Sequence, residues 1–248
     1  MENKKVALVT GGMGGLGTAI CRRLYTAGYA VAATYSPGNE RAQHWIEAQK
    51  DDGFRFSGFK VDVADYADCE WMVQKLLADM GRIDVLVNNA GITRDQSMRN
   101  MKLEDWTEVR RTNLDSLFNM SKQVLEPMLA QRWGRIVNIS SVNGQKGAFG
   151  QTNYAAAKAG MHGFTKALAL EVARHGITVN TVSPGYLRTP MVTKVPGGIM
   201  ASKILPQIPI GRLGEPDEVA ALVAYLSSEE AAFVTGANIA INGGQHMN

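Results

Sequence analysis

The sequence predicts an α/β fold: a doubly wound, seven-stranded parallel sheet with helices on both faces. Three observations carry this. Short apolar runs alternate with longer helical stretches from end to end, the pattern of repeated βα units. The runs are short and β-branched or apolar on both faces, which suits buried strands of a parallel sheet. The first run also leads directly into a glycine-rich turn and a helix, the opening of a doubly wound sheet.

Taken in order, the strands are expected at Val6–Thr10, Ala30–Thr34, Phe54–Val61, Val85–Asn88, Arg135–Ser140, Thr178–Ser183 and Asn238–Ile241. The helices are expected at Gly15–Ala27, Arg41–Asp51, Asp68–Met80, Trp106–Gln131, Asn153–Arg174 and Pro216–Ser227. No repeat, linker or low-complexity stretch interrupts them, and 248 residues suit one α/β domain spanning 1–248. One composition shift stands out. Arg188–Arg212 holds Pro190, Pro196, Gly197, Gly198, Pro206, Pro209 and Gly211, and such an excursion beside a strand end is expected to cover a ligand as a lid.

Composition removes several classes. A hydrophobic fraction of 45% and a charged fraction of 20% are those of an ordinary folded domain. The formal charge of +3 is slight, and the Lys/Arg residues are dispersed, so nucleic acid is not an expected partner; an anionic small molecule is compatible. Cys21 and Cys69 form no CxxC pair, and His44, His162, His175 and His246 are scattered, so neither a disulfide framework nor a metal site is expected. No apolar run approaches the roughly 20 residues that span a bilayer, and no signal peptide is expected before the first strand. A cytoplasmic protein is the expectation.

The glycine turn reads Thr10-Gly-Gly-Met-Gly-Gly-Leu-Gly17. Two patterns overlap in it: Gly12-x-Gly14-x-x-Gly17 and Thr10-Gly11-x-x-x-Gly15-x-Gly17. Either lets backbone N–H groups approach a pyrophosphate at a helix N-terminus. A dinucleotide is therefore expected on Gly11, Gly12, Met13, Gly14, Gly15, Leu16 and Gly17. A carboxylate closing the second strand would select NAD, an arginine NADP. Here the strand closes Ala33-Thr34-Tyr35-Ser36, and Arg41 follows, which favours NADP(H). Glu40 beside Arg41 would repel a 2′-phosphate, so NAD(H) stays open.

Tyr154 and Lys158 are four residues apart, hence on one helix face. An ammonium so placed is expected to lower the phenol's pKa from its usual value near 10 and make Tyr154 a general acid or base. Ser141 follows the strand-like run ending at Ser140, where its hydroxyl could orient a carbonyl beside that phenol.

Together, Thr10-Gly-x-x-x-Gly-x-Gly17, Asn88-Asn-Ala-Gly91, Asn113, Ser141, Tyr154-x-x-x-Lys158 and Asn180…Pro184-Gly185 resemble the short-chain dehydrogenases/reductases over nearly the whole chain. The resemblance implies a single-domain Rossmann fold, commonly a homotetramer, and the catalytic set Asn113, Ser141, Tyr154 and Lys158. In it Tyr154 donates a proton to the substrate carbonyl, Ser141 orients that carbonyl, and Asn113 supports a water linking Lys158 to solvent. Lys158 lowers the Tyr154 pKa and, like Tyr154, contacts the cofactor. The resemblance also implies cofactor contacts from Asp62 and Val63 at the adenine. Asn89, Ala90 and Gly91 follow on the adenosine side, Pro184, Gly185, Leu187 and Thr189 at the nicotinamide end, and Ile92 is a further cofactor contact.

Within the family, the stretches Val9–Gly15, Asn89–Asp95, Arg135–Gly147, Phe149–Tyr154 and Gly243–Met247 are similar to bacterial acetoacetyl-CoA reductases of polyhydroxybutyrate synthesis. That likeness implies NADPH-dependent reduction of acetoacetyl-CoA, or a similar 3-oxoacyl-CoA, to the (R)-3-hydroxyacyl-CoA. It assigns substrate contacts to Asp95, Ser141, Phe149, Gln151, Tyr154 and Tyr186. Ala148 departs from the subfamily, which can carry Gln there. A polyanionic CoA ester is expected to meet Arg94, Arg99, Lys102, Arg188, Lys194 or Lys203 at the mouth. Two other readings stay open. A 3-oxoacyl-[acyl carrier protein] reductase would need a basic docking patch, for which Arg132, Arg135 and Arg174 are candidates. A cofactor-binding sensor could dispense with the catalytic residues, all of which are present.

Overall fold

In the computed structural model, which describes residues 4–189, 192, 198 and 200–247, seven strands form one sheet. They are β1 (Val6–Val9), β2 (Ala30–Tyr35), β3 (Phe56–Lys60), β4 (Val85–Asn88), β5 (Gly134–Ile139), β6 (Ile177–Pro184) and β7 (Asn238–Ile241). The order is β3-β2-β1-β4-β5-β6-β7, and every pairing is parallel. The central strands β1, β4, β5 and β6 are buried at every residue; β1 and most of β4 are accordingly continuous apolar runs, while β5 and β6 also bury Arg135, Asn138, Thr178, Asn180, Thr181 and Ser183. The edge strands β3 and β7 expose residues.

The described helices are α1 (Gly15–Thr26), α2 (Ala42–Asp51), α3 (Tyr66–Met80), α4 (Leu103–Arg110), α5 (Ser116–Gln131), α6 (Val142–Lys146), α7 (Thr152–Val172) and α8 (Pro216–Leu226). They bury two cores, one on each face of the sheet. On one face, Met72 and Leu76 of α3, Met120 and Val124 of α5, and Val172 of α7 pack on Leu8, Leu86 and Ile136. On the other, Ile20 and Leu24 of α1 and Val219 and Val223 of α8 pack on Ala7, Val85 and Val137. Strand order reverses between β1 and β4, so the loops after these strands diverge and leave a crevice at their carboxyl ends.

The structure departs from the sequence expectation in four places. The stretch read as one helix over Trp106–Gln131 begins at Leu103 and carries a π turn at Arg111–Asp115. That turn fits one extra residue into the helix and sets the buried Asn113 against the end of β4. The strand expected from Phe54 begins at Phe56, because the Phe54 N–H bonds back to Gln49 O at the end of α2. The helix expected from Asp68 begins at Tyr66, where Asp65 caps it by accepting from the Asp68 N–H. Helix α6 has no counterpart in the sequence expectation; five residues are too few to show a period. In the expected lid, Pro190, Met191, 193–197 and Ile199 lie outside the described residues. Its remainder includes a π turn, Met200–Ile204, and a 3₁₀ turn, Leu205–Gln207.

Candidate active site

The glycine turn after β1 is packed too tightly for side chains. Gly11 has φ +60°, and a Cβ on it would stand 3.0 Å from Ala90 Cα. A Cβ on Gly12 would stand 2.8 Å from that of Ala33, and one on Gly17 would collide with the Gly11 carbonyl. Thr10 and Asn89 fasten the turn to the end of β4: Thr10 Oγ1 accepts from the Asn89 and Ala90 N–H groups at 2.9 and 3.0 Å. The Asn89 amide donates to Thr10 O and Gly11 O at 2.9 and 3.1 Å. Asn89 therefore holds the turn in shape, a role its expected place beside adenosine does not reveal.

This turn floors a cavity of about 400 Å³ at the switch point. Of the expected cofactor residues, Gly11, Gly15, Leu16, Gly17, Asn89, Ala90, Gly91, Ile92, Tyr154, Lys158, Pro184, Gly185, Leu187 and Thr189 line it. Gly12, Met13, Gly14, Arg41, Asp62 and Val63 do not. Gly12 is enclosed against β2; Asp62 and Val63 sit after β3, where the Asp62 N–H bonds Asp68. Arg41 is exposed at the start of α2, its N–H capped by Asn39, whose amide reaches Met13 Sδ at 3.8 Å. The residues fit a dinucleotide: a side-chain-free turn at a helix N-terminus, opening into a cavity beside the Tyr154–Lys158 helix.

Ser141, Tyr154 and Lys158 meet on the cavity wall. Ser141, in extended conformation, caps α6 by accepting the Asn143 N–H at 3.1 Å. Tyr154 and Lys158 both project from α7, with Lys158 Nζ 5.6 Å from the phenol ring centroid. Lys158 is 3% exposed and donates to Ile139 O at 2.7 Å. Gly144 lets α6 close on it, since a Cβ there would stand 2.8 Å from Lys158 Cβ, and Ser140 Oγ donates to the Lys158 carbonyl at 2.8 Å.

Burial dominates the titration of this pair. It pushes the Tyr154 phenol up to about 12, the Ser141 hydrogen bond pulling the other way and the Asp95 carboxylate adding to the rise. It drives Lys158 down to about 7. Burial, which raises the phenol and lowers the ammonium, thus works against the expected depression of the Tyr154 pKa by Lys158. A phenol that stays protonated at neutral pH suits a proton donor to an alkoxide, which is the stronger base.

Asn113 does not line the cavity; its amide is engaged with Ile92, accepting the N–H and donating to the carbonyl, both at 2.8 Å. Asn113 Oδ1 and Lys158 Nζ lie 3.0 and 3.5 Å from where a Cβ on Gly91 would be, so that glycine gives both room. Of the substrate assignments, Ser141, Gln151, Tyr154 and Tyr186 line the cavity and Asp95 and Phe149 do not. Phe149 is 97% exposed, and Asp95 is bonded to Gln151 at 2.8 Å. Asn143, which the sequence reading passed over, also lines the cavity; only the short helix after Ser141 could have signalled it.

The expected cationic mouth is partly neutralised. Arg94 makes two bonds to Glu108, at 2.9 and 2.7 Å, and Arg188 pairs with Glu215 at 2.8 Å. Arg99, Lys102 and Lys203 are exposed; Lys194 lies outside the described residues. Arg132, Arg135 and Arg174 sit before β5 and β6 or at the first turn of β5, at the strand ends opposite the cavity. Arg135 is 2% exposed and lies under Trp133, 4.3 Å from its ring centroid. These three do not form a docking patch at the entrance. Among the described residues no group of His, Cys, Asp and Glu could hold a metal, and no helix is long and apolar enough to cross a membrane.

The profile of the short chain dehydrogenase family matches residues 5–198. The chain belongs to that family. A short-chain dehydrogenase takes a nicotinamide cofactor, and the glycine turn and cavity suit one. Among its relatives, the acetoacetyl-CoA reductase of Cupriavidus necator is 54% identical over 98% of this chain and 99% of its own length. Nodulation protein G of Azospirillum brasilense is 52% identical over 98% of each. The 3-oxoacyl-[acyl-carrier-protein] reductase FabG of Vibrio cholerae is 45% identical over 98% of each.

Proposed function

We propose that this short-chain dehydrogenase reduces acetoacetyl-CoA, or a similar short 3-oxoacyl-CoA, to the (R)-3-hydroxyacyl-CoA with NADPH, supplying polyhydroxybutyrate synthesis. The observation that carries the chemistry is the meeting of Ser141, Tyr154 and Lys158 on a cavity floored by the glycine turn. The names of relatives such as the Cupriavidus protein support the substrate. The chemistry a bound nicotinamide supplies is a hydride for the carbonyl carbon.

The chain's own part is position and proton delivery. Ser141 donates a hydrogen bond to the substrate oxygen, its orientation fixed by the Asn143 N–H at its own oxygen. Tyr154 transfers its proton to that oxygen as negative charge builds there, the contribution of a donor aimed at the developing oxyanion. Lys158, titrating near neutrality, returns a proton to the phenolate. The Asn113 amide holds the backbone of Ile92, and in this reading Asn113 supports a water that links Lys158 to solvent. The lid of this reading is the 188–212 excursion, from which Thr189 and Val192 line the cavity.

A steady-state panel tests the assignment: acetoacetyl-CoA, a longer 3-oxoacyl-CoA and a carrier-linked 3-oxoacyl substrate, each with NADPH and NADH. The highest kcat/KM is expected for acetoacetyl-CoA with NADPH. A carrier-linked substrate in first place would move the reading to fatty-acid synthesis, and a preference for NADH would remove Arg41 from cofactor selection. Inactivity of the wild type with intact cofactor binding would favour a sensor. We further propose a single-domain chain assembled as a cytoplasmic homotetramer. Light scattering is expected to give four times the 26.9 kDa chain mass, and a monomer or dimer mass would refute the assembly.

A further inference from the structure

Ser141 and Tyr154 must hold a fixed separation to share one carbonyl oxygen, yet they stand on different elements. Ser141 caps α6, whose five residues are too few to be a stable helix unaided. Tyr154 lies in the first turn of α7. Three side chains join the two. Asn143, the second residue of α6, is 7% exposed; its backbone N–H bonds Ser141 Oγ while its Nδ2 donates to Gln151 Oε1 at 2.9 Å. Gln151 is the residue from which α7 starts, and its Nε2 donates to Asp95 Oδ2 at 2.8 Å. Both ends of the Gln151 amide are therefore engaged within the protein.

The loop that carries Asp95 is itself tied to the start of α7. The Gln96 N–H donates to Gly150 O at 2.8 Å, and Asn153 Nδ2 donates to Arg94 O at 3.0 Å. The chain of donors runs one way, from Asn143 to Gln151 to Asp95, and ends on a carboxylate, which makes the last bond charge-assisted. Among the described residues Asn143 Oδ1 is buried without a partner. Among those residues the Nδ2 bond to Gln151 is thus the side chain's one polar anchor.

We propose that Asp95, Gln151 and Asn143 form a clamp that sets the distance between Ser141 and Tyr154, making them positioning residues. The proposal rests on the carbonyl chemistry above for its effect on rate. It recasts Asp95 and Gln151, which the resemblance assigns to substrate, as groups acting through Ser141 and Tyr154. The direction of the donor chain gives a sharp test, because it can be broken and rebuilt without changing side-chain size.

Gln151→Glu still accepts from Asn143 but turns a carboxylate on Asp95. A misplacement of about 1 Å can cost about 10²-fold in rate. At pH 8 the variant is expected to lose about 10-fold or more in kcat for acetoacetyl-CoA with a smaller change in KM. Activity should return as pH falls and one of the two carboxyl groups takes a proton. The double variant Asp95→Asn with Gln151→Glu reverses the last bond, the amide introduced on the loop now donating to the carboxylate introduced on α7. It is expected to recover most of the loss at pH 8. Hydrogen exchange over residues 141–151 reads the clamp without substrate: faster in Gln151→Glu at pH 8, slow again in the double variant. Wild-type kcat and exchange in Gln151→Glu, or a loss that neither acid nor the double variant repairs, would overturn the clamp. Wild-type inactivity toward acetoacetyl-CoA would instead overturn the function, and the exchange comparison would still decide the clamp.

Discussion

Tyr154→Phe is expected to lower kcat for acetoacetyl-CoA reduction by about 10²–10⁴-fold, the usual share of a positioned general acid, while NADPH binding stays within about twofold. The variant removes one oxygen and leaves the ring, its packing and the 5.6 Å approach of Lys158 Nζ in place. Ser141 keeps its cap from Asn143, so the carbonyl would still be oriented; what disappears is the proton. The direction of the Tyr154 pKa sharpens the expectation. Because burial holds the phenol protonated up to about 12, wild-type reduction should show no alkaline loss from Tyr154 through neutrality. Any limb near pH 7 would belong to Lys158, which burial lowers to about 7. Single-turnover rates across pH 6–10 with fluorescence-monitored NADPH binding make the measurement. Full activity in Tyr154→Phe would remove the tyrosine from proton transfer.

Much of the fold could be read from the residues, and the reasons are local. Strand β1 and most of β4 are apolar on both faces because helices cover both, so continuous runs betrayed them; β5 and β6 bury polar residues as well and were legible from their β-branched residues and their place between helices. The turn was legible because three of its glycines face atoms that forbid a Cβ, a requirement written directly into residue type. What escaped was set by contacts distant in sequence. The π turn at Asn113 is fixed by bonds to Ile92, 21 residues away, and no helical period records it. Helix α6 leans on Lys158 and Gln151 rather than on its own turns. Asn89 lines the cavity, as a cofactor contact would, but its second task, bonding the carbonyls of Thr10 and Gly11, is written in no spacing. The part burial plays in the titration of Tyr154 and Lys158 was hidden for a related reason. Spacing of four residues reveals that an ammonium neighbours a phenol, but how deeply both are buried depends on β5, α6 and the loops that close over them.

That burial makes Lys158 the site of an opposition between stability and activity. A lysine at 3% exposure has one polar contact to oxygen, Ile139 O at 2.7 Å, and no carboxylate beside it among the described residues. Its folded pKa of about 7 lies below the 10.5 of a free lysine. Between these values the unfolded chain binds the proton and the folded chain does not, so Lys158 makes stability rise with pH across roughly 7 to 10.5. Below pH 7 the folded protein carries the full cost of a desolvated ammonium. Lys158→Met keeps the length and apolar stem, removes that cost and sits beside Met161, whose sulfur is 4.0 Å from the present Nζ. The variant is expected to be more stable at pH 6–7, by about 1–4 kcal/mol if it follows other buried charges replaced by apolar groups, and to lose the lysine's share of the pH slope. Its kcat should fall by about 10²-fold or more, as for loss of a positioned group that supplies a proton. Calorimetric melting at pH 6, 7.5 and 9, with kcat measured alongside, checks both halves. A variant that is less stable at pH 6 with an unchanged slope would show that the Ile139 bond outweighs the desolvation of the ammonium. A variant that is stabilised and inactive would mean that Lys158 is held in the core against its own solvation for the sake of the proton it supplies to Tyr154.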